Sequence, residues 1–125
     1  MARILIVEDN PTNMKLMVLV LSSAGHAVLQ AVTAQQGIDL AMKERPDVVL
    51  MDMQLPDMDG VEATRILKSS PQTAHTPVVA VTASAMKGDK ERMLEVCDRY
   101  VEKPVEYKKL LGVIEEVTGS GSSAS

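Results

Sequence analysis

The chain has 125 residues, of which 46% are hydrophobic, and its 13 Lys and Arg against 17 Asp and Glu give a formal net charge of −4. This length fits one domain, the apolar content argues against global disorder, and an acidic chain without a basic run lacks the charge pattern of nucleic-acid binding proteins. The single cysteine cannot form an internal disulfide, and the longest apolar run, 16–21, is far short of the roughly 20 residues that cross a bilayer. We therefore expect a cytoplasmic protein that neither enters membranes nor binds nucleic acid.

Short apolar runs along the chain predict five β-strands. Three runs, 4–7, 48–51 and 78–81, are wholly apolar, whereas 28–32 and 100–102 contain polar residues. Strands that are apolar on both faces belong in the middle of a parallel sheet covered by helices, so the two weaker strands should lie at or near its edges.

Helical spacing of apolar residues and capping residues predict a helix after each strand. The expected signals are an Asn10 cap with a stop at Gly25, a Thr33–Gln36 capping box with a stop before Pro46, an Asp59 cap before 61–69, and helical patterns over 87–96 and 106–117. The segment 87–96 is highly charged, so its helix should be exposed and loosely packed.

This alternation of strands and helices predicts an α/β fold with right-handed crossovers. Because the first, third and fourth strands are the most apolar, they should be central, which favours a doubly wound (βα)5 parallel sheet of order 2-1-3-4-5. Residues 119–125, composed of Gly, Ser and Ala, predict a flexible tail after a domain spanning 1–118.

Polar residues follow four of the predicted strands at the edge where such sheets bind ligands. They are Glu8 and Asp9, Asp52, Thr82, and Lys103 followed by Pro104. Clustered carboxylates and a need for open water positions favour Mg²⁺, and Asp is a covalent acceptor of phosphoryl groups. Lys103 supplies a positive charge and Thr82 a hydroxyl for phosphoryl oxygens. The pattern therefore indicates phosphoryl transfer to Asp52.

Four blocks of sequence resemble the receiver domain of two-component response regulators. They are ILIVEDN at 4–10, MDMQLPDMDG at 51–60, VTA at 81–83 and YVEKP at 100–104, and the resemblance covers residues 2 to about 118. The chain is similar to single-domain regulators of cell-division control and to receivers of hybrid sensor kinases. The resemblance implies a flavodoxin-like fold and a phosphorylation-activated signalling switch.

The resemblance also implies a role for each residue of the acidic site. Asp52 matches the phosphoacceptor, Asp9 the direct Mg²⁺ ligand, and Glu8 the neighbour that acts through a metal-bound water. Gln54 would contribute its backbone carbonyl to the metal, which is Mg²⁺ or its substitute Mn²⁺. Thr82 and Lys103 match the two residues that hold the phosphoryl oxygens.

Further residues match the switch and its supporting loops. Tyr100 matches the switch aromatic, whose rotation follows movement of Thr82, and Pro104 matches a cis-proline that orients Lys103. Pro56 and Gly60 match the loop after the phosphoacceptor. Gln54 and Ser84 are expected to flank the water that later hydrolyses the acyl phosphate.

The implied partners are a sensor histidine kinase or histidine phosphotransfer protein as donor, and a downstream protein effector. The effector would dock on the face formed by the fourth helix, fifth strand and fifth helix, with the protein a monomer or a phosphorylation-dependent dimer. The domain would catalyse its own phosphotransfer and dephosphorylation without turning over external substrates.

Three other functions compete with this interpretation. Phosphatases of the haloacid-dehalogenase type need a second Asp two residues after the nucleophile, where this chain has Gln54. A flavin carrier needs aromatic residues, and only Tyr100 and Tyr107 are present. A receiver-like scaffold that is never phosphorylated would not need the full set of polar residues. One departure from the family is Val96-Cys97, where a Gly followed by a small residue is usual, so a fourth helix that ends at Val96 lacks a left-handed Gly cap.

Overall fold

A computed structural model describes residues 1–83 and 87–119, with the backbone alone at 87–90. The strands are β1 (Arg3–Val7), β2 (Ala27–Ala31), β3 (Val48–Asp52), β4 (Val78–Thr82) and β5 (Arg99–Glu102). The helices are α1 (Pro11–Ser23), α2 (Ala34–Glu44), α3 (Gly60–Ser69), α4 (Lys87–Val96) and α5 (Tyr107–Thr118). None of the helices in the described part of the chain is long and apolar enough to cross a membrane.

The five strands form one parallel sheet in the order β2-β1-β3-β4-β5. This confirms the predicted flavodoxin-like topology, including the edge positions of the two weaker strands. Alternate residues of each strand face opposite sides of the sheet. In β1, Leu5 and Val7 pack into the core beneath α2, α3 and α4, whereas Ile4 and Ile6 pack into the core beneath α1 and α5. Both faces are covered, which explains why the central strands are wholly apolar.

The predicted caps begin the first three helices. Asn10 accepts a hydrogen bond from the N–H of Asn13 at 3.0 Å, and Thr33 Oγ1 accepts one from the N–H of Gln36 at 3.1 Å. The return bond of the second cap differs from the expected capping box, because Gln36 Oε1 accepts from the N–H of Val32 at 2.8 Å rather than from that of Thr33. The extended backbone of the cap residue brings the preceding N–H within reach.

The fourth helix ends at Val96, as the sequence predicts, without a glycine. The N–H of Cys97 donates to the carbonyl of Met93 at 2.7 Å, and both of these side chains are buried in the core beside α3. Leu94 and Glu95 are exposed. Among the side chains described for this segment, Met93 and Cys97 thus anchor the end of α4 to the core.

Candidate functional site

The carboxyl ends of β1 and β3 bring three carboxylates together. Oxygen atoms of Glu8, Asp9 and Asp52 all lie within 4.8 Å of one another. The pairing of β1 with β3 places Val7 beside Met51, so the residues that follow each strand meet at the same edge. Glu8 and Asp52 are buried, whereas Asp9 is exposed. The cluster is therefore open to solvent on the Asp9 side.

Asp52 is held by one hydrogen bond and one ion pair. Its Oδ1 accepts from the N–H of Gln54 at 3.0 Å, and its Oδ2 lies 3.2 Å from Lys103 Nζ. Only 2% of the residue is exposed to solvent. The two contacts engage one oxygen each and so fix the orientation of the carboxylate.

Lys103 is the cation at the centre of the acidic cluster. Its Nζ lies 3.1 Å from Glu8 Oε1 as well as beside Asp52, and its backbone N–H donates to the carbonyl of Thr82 at 2.7 Å. Burial lowers the pKa of Lys103, but the close contact of its ammonium with Glu8 and the negative charges of both carboxylates outweigh this effect, so the pKa is raised. The ammonium therefore stays charged and neutralises part of the cluster.

Glu8 is fully buried at the end of β1. Its Oε2 accepts from the N–H of Asn10 at 3.1 Å, whereas Oε1 accepts no hydrogen bond of good geometry from the described residues despite its ion pair with Lys103. Burial raises the pKa of Glu8, the Asn10 N–H lowers it, and the neighbouring Asp52 raises it further; the net shift is upward. Because buried polar atoms are normally hydrogen-bonded, this oxygen is a good acceptor for a hydrogen bond from a water molecule that is bound to a cation.

The chemistry of this donor set fits Mg²⁺. That ion prefers oxygen ligands and typically takes one or two carboxylates together with waters and phosphate oxygens. Asp9 and Asp52 offer the two carboxylates, and Glu8 offers an acceptor for a bound water. The cluster can therefore hold a divalent cation.

The loop from 53 to 59 connects Asp52 to α3. An isolated antiparallel bridge pairs Gln54 with Asp59, and Asp59 Oδ1 caps α3 by accepting from the N–H of Val61 at 2.8 Å. Gln54 and Pro56 are exposed at the surface, whereas Gly60 is buried against the end of β3.

Sequence reasoning missed Asp57, which joins this loop to α2. Its carboxylate accepts from the N–H groups of Ala34 at 2.9 Å and Gln35 at 3.0 Å, the first two residues of that helix. These two hydrogen bonds lower the pKa of Asp57. The contact spans more than 20 residues of chain, so no local sequence signal indicates it.

Thr82 and Tyr100 lie in adjacent strands, β4 and β5. Thr82 is buried and lines a cavity of about 200 Å³ together with Met53, Gln54 and residues of α4. Tyr100 is half-buried and lines a groove between β5 and α5. The Lys103–Pro104 peptide bond is cis. Ser84 lies outside the described residues.

Comparison with known proteins identifies related sequences over most of the chain. Residues 4–115 match the family model described as the response regulator receiver domain. The polar-differentiation response regulator DivK of Brucella anthropi is 40% identical over 117 residues, which are 93% of this chain and 95% of that protein. The DivK protein of Brucella ovis is 39% identical with the same coverage.

Solved structures share the fold. The receiver domain of sensor histidine kinase PA1611 from Pseudomonas aeruginosa, determined with a magnesium ion coordinated in its active site cleft, has a TM-score of 0.88 and 34% identity over 94% of this chain and 98% of that one. A CheY-like receiver domain protein from Methanospirillum hungatei has a TM-score of 0.88 and 28% identity, with 98% of each chain covered.

Proposed function

Because this chain belongs to the response regulator receiver domain family of two-component signalling, we propose that it is a switch turned on by phosphorylation of Asp52. One observation carries the proposal: Asp52 is buried at the sheet edge, paired with Lys103 and beside Glu8 and Asp9. The phosphoryl donor is a phosphohistidine on a sensor histidine kinase or a histidine phosphotransfer protein. The domain supplies the catalytic groups itself, so small acyl phosphates also serve as donors.

The transfer exchanges one bond to phosphorus for another. A carboxylate oxygen of Asp52 forms a bond to phosphorus while the bond to the donor's imidazole nitrogen breaks, and the imidazole leaves with that electron pair. Lys103 offsets the negative charge on the phosphoryl oxygens, and the Thr82 hydroxyl donates to one of them. Hydrolysis of the acyl phosphate later releases inorganic phosphate, with Gln54 and Ser84 beside the attacking water.

The acidic cluster is the proposed site for Mg²⁺, with Mn²⁺ as a substitute. Asp9, Asp52 and the backbone carbonyl of Gln54 would hold the ion directly, and Glu8 would act through a bound water. A divalent cation there neutralises charge that builds up on the transferring group. Two features support this assignment: Glu8 Oε1 accepts no hydrogen bond of good geometry from the described residues, and Asp9 is exposed to solvent.

The phosphoryl group would change the surface through Thr82 and Tyr100. The new phosphoryl oxygens attract Thr82, and its movement leaves space into which the Tyr100 side chain turns. The added charge thus favours one of two arrangements of Thr82 and Tyr100. The groove between β5 and α5, lined by Tyr100, Lys109 and Val113, then changes shape. We propose that a downstream protein effector docks on this α4-β5-α5 face, and that the protein acts in the cytoplasm as a monomer or a phosphorylation-dependent dimer.

Intact-mass spectrometry after incubation with acetyl phosphate, with and without Mg²⁺, tests the proposal. We expect one phosphoryl adduct that requires Mg²⁺ and disappears in Asp52→Asn. Asp39→Asn, which changes an exposed carboxylate on α2, is the matched control and should be phosphorylated like the wild type. A folded wild-type protein that binds Mg²⁺ but gives no adduct would instead be a receiver-like scaffold.

A further inference from the structure

One ion pair connects α4 to the loop that follows the phosphoacceptor. Arg92 on α4 lies 3.2 Å from Asp59 Oδ2, and both side chains are about half exposed, 53% and 48%. Asp59 uses its other oxygen to cap α3, so the loop, α3 and α4 meet at this one carboxylate. The contact was not indicated by the sequence, because 33 residues separate its partners.

The other side-chain contacts described for α4 are with α3 and the core. Met93 is buried, Cys97 Sγ lies 3.8 Å from Thr64 Oγ1, and Arg65 pairs with Glu95 at 4.0 Å. Among the ion pairs formed by the described residues, Arg92–Asp59 is the one that reaches the 53–59 loop.

The same ion pair borders the cavity beside Thr82. Arg92 and Asp59 line that cavity of about 200 Å³ together with Thr82 and Gln54. Residue Lys87, the first of α4, follows Thr82 by only five positions in the chain. Thr82 and the ion pair therefore border the same space, so a displacement of Thr82 changes the cavity wall that Arg92 and Asp59 complete, and the ion pair opposes movement of α4 away from the loop.

We propose that Arg92 and Asp59 form a latch that holds α4 in its unphosphorylated position and so opposes the switch. The inference rests on the proposed function, since the latch has nothing to oppose unless Asp52 is modified. Arg92 acts here as a positioning residue with no contact to the reacting atoms. An exposed ion pair shifts an equilibrium by about 1.5- to 5-fold, which is enough to tune the switch and too little to lock it.

The binding of a phosphoryl mimic reports how far the ion pair shifts the equilibrium away from the switched state. A ligand that favours the switched state binds more tightly when that state costs less free energy to reach. The probe is beryllium fluoride with Mg²⁺, and its apparent affinity is followed by the amide NMR shifts of α4. Arg92→Gln removes one partner. Asp59→Asn removes the other while keeping a side-chain oxygen for the α3 cap.

We expect Arg92→Gln and Asp59→Asn each to bind beryllium fluoride about 1.5- to 5-fold more tightly than the wild type. The double variant should gain no more than either single one, because both remove the same interaction. Arg65→Gln is the matched control: it breaks an exposed ion pair between the same two helices without touching the loop, and it should bind like the wild type.

A purely structural role would leave the affinity unchanged or lower it, so unchanged or weaker binding in both variants overturns the latch. An equal gain in Arg65→Gln also overturns it, because the effect would then come from a general loosening of α4. If the wild type does not bind beryllium fluoride at all, both the proposed function and the latch are overturned. The titration of the wild type alone distinguishes this outcome from a failure of the latch, in which the wild type binds and the variants bind no more tightly.

Discussion

The first residue of α3 packs so closely on the end of β3 that a methyl group does not fit there. A Cβ atom at Gly60 would lie 2.7 Å from the carbonyl oxygen of Asp52 and 2.7 Å from the Cα of Met53, against 3.4–4 Å for ordinary contact. The atoms must therefore separate by about 0.7 Å or more. Because both neighbours are backbone of the segment that contains Asp52, Gly60→Ala must displace that segment.

The expected loss of stability follows from these contacts. Overpacking costs about 1–3 kcal/mol, and the better helix propensity of Ala returns at most about 1 kcal/mol. Because two of the close atoms are backbone, the cost should lie in the upper part of that range, about 2–3 kcal/mol, so we expect a net loss of about 1–2 kcal/mol in the free energy of unfolding. With about 2.1 cal/mol/K of unfolding entropy per residue, a chain of 125 residues loses about 4 °C of Tm per kcal/mol, so Tm should fall by about 4–8 °C.

Gly112→Ala is the matched control, with the same change inside another helix. Nothing lies within 4 Å of a Cβ at Gly112, and the residue is exposed on α5. Only the helix propensity then changes, which should raise the free energy of unfolding by about 0.5–1 kcal/mol. The two identical substitutions should thus have opposite effects on stability.

Urea unfolding gives the two free energies, and intact-mass time courses with acetyl phosphate give the phosphorylation rates. Gly60→Ala should also be phosphorylated more slowly, because displaced backbone misplaces both Asp52 and the Gln54 N–H that binds it. A Gly60→Ala protein as stable as Gly112→Ala and phosphorylated at the wild-type rate would refute the close contact between α3 and the site.

Three further substitutions or treatments test single contacts. Asp57→Asn should lower the free energy of unfolding at pH 7, as measured by urea unfolding. Because the pKa of Asp57 is lower in the folded protein than its ordinary value of 3.8, the wild type should be the more stable protein above pH 3.8. This advantage should be lost as the pH falls through the lower pKa of the folded state. Lys103→Gln should slow phosphorylation by about 100-fold, because it removes the cation that pairs with Asp52, as measured by intact mass. Burial raises the pKa of the Cys97 thiol to about 11, so iodoacetamide at pH 7 should label it slowly until urea unfolds the chain.

Each of these has an outcome that contradicts it. A stability difference for Asp57→Asn that does not shrink as the pH is lowered through the acid range would show that the charge does not bind α2. Phosphorylation of Lys103→Gln at the wild-type rate would remove Lys103 from the chemistry, with Lys15→Gln on the exposed face of α1 as its control. Rapid labelling of Cys97 in the folded protein would mean that α4 opens without global unfolding.

Much of the fold could be predicted because its signals are local. Apolar runs such as 48–51, helix caps such as Asn10 and Asp59, and the stop at Gly25 each depend on a few consecutive residues. The order of strand hydrophobicity then placed β1, β3 and β4 in the centre of the sheet. Strand ends differed from expectation by one residue: β1, β3, β4 and β5 are each one residue longer, and β2 spans Ala27–Ala31 instead of 28–32.

The polar residues of the site could also be predicted, because all of them follow a strand on the same edge of a parallel sheet. What the sequence alone does not determine is how each one is held. Glu8 and Asp9 are adjacent in the chain, yet one is fully buried and the other is exposed. Lys103 pairs with both Glu8 and Asp52 because its long side chain extends from the end of β5 past the end of β4 to the ends of β3 and β1.

The supporting contacts were decided entirely by tertiary structure. Asp57 binds the start of α2, Arg92 pairs with Asp59, and Gly60 packs on the backbone of Asp52. In the first two cases more than 20 residues separate the partners, so no short sequence pattern predicts the contact. Local sequence therefore determined the strands, the helices and the candidate site, whereas burial, pairing and the attachment of α4 required the folded chain, because they depend on distances between residues that only packing brings together.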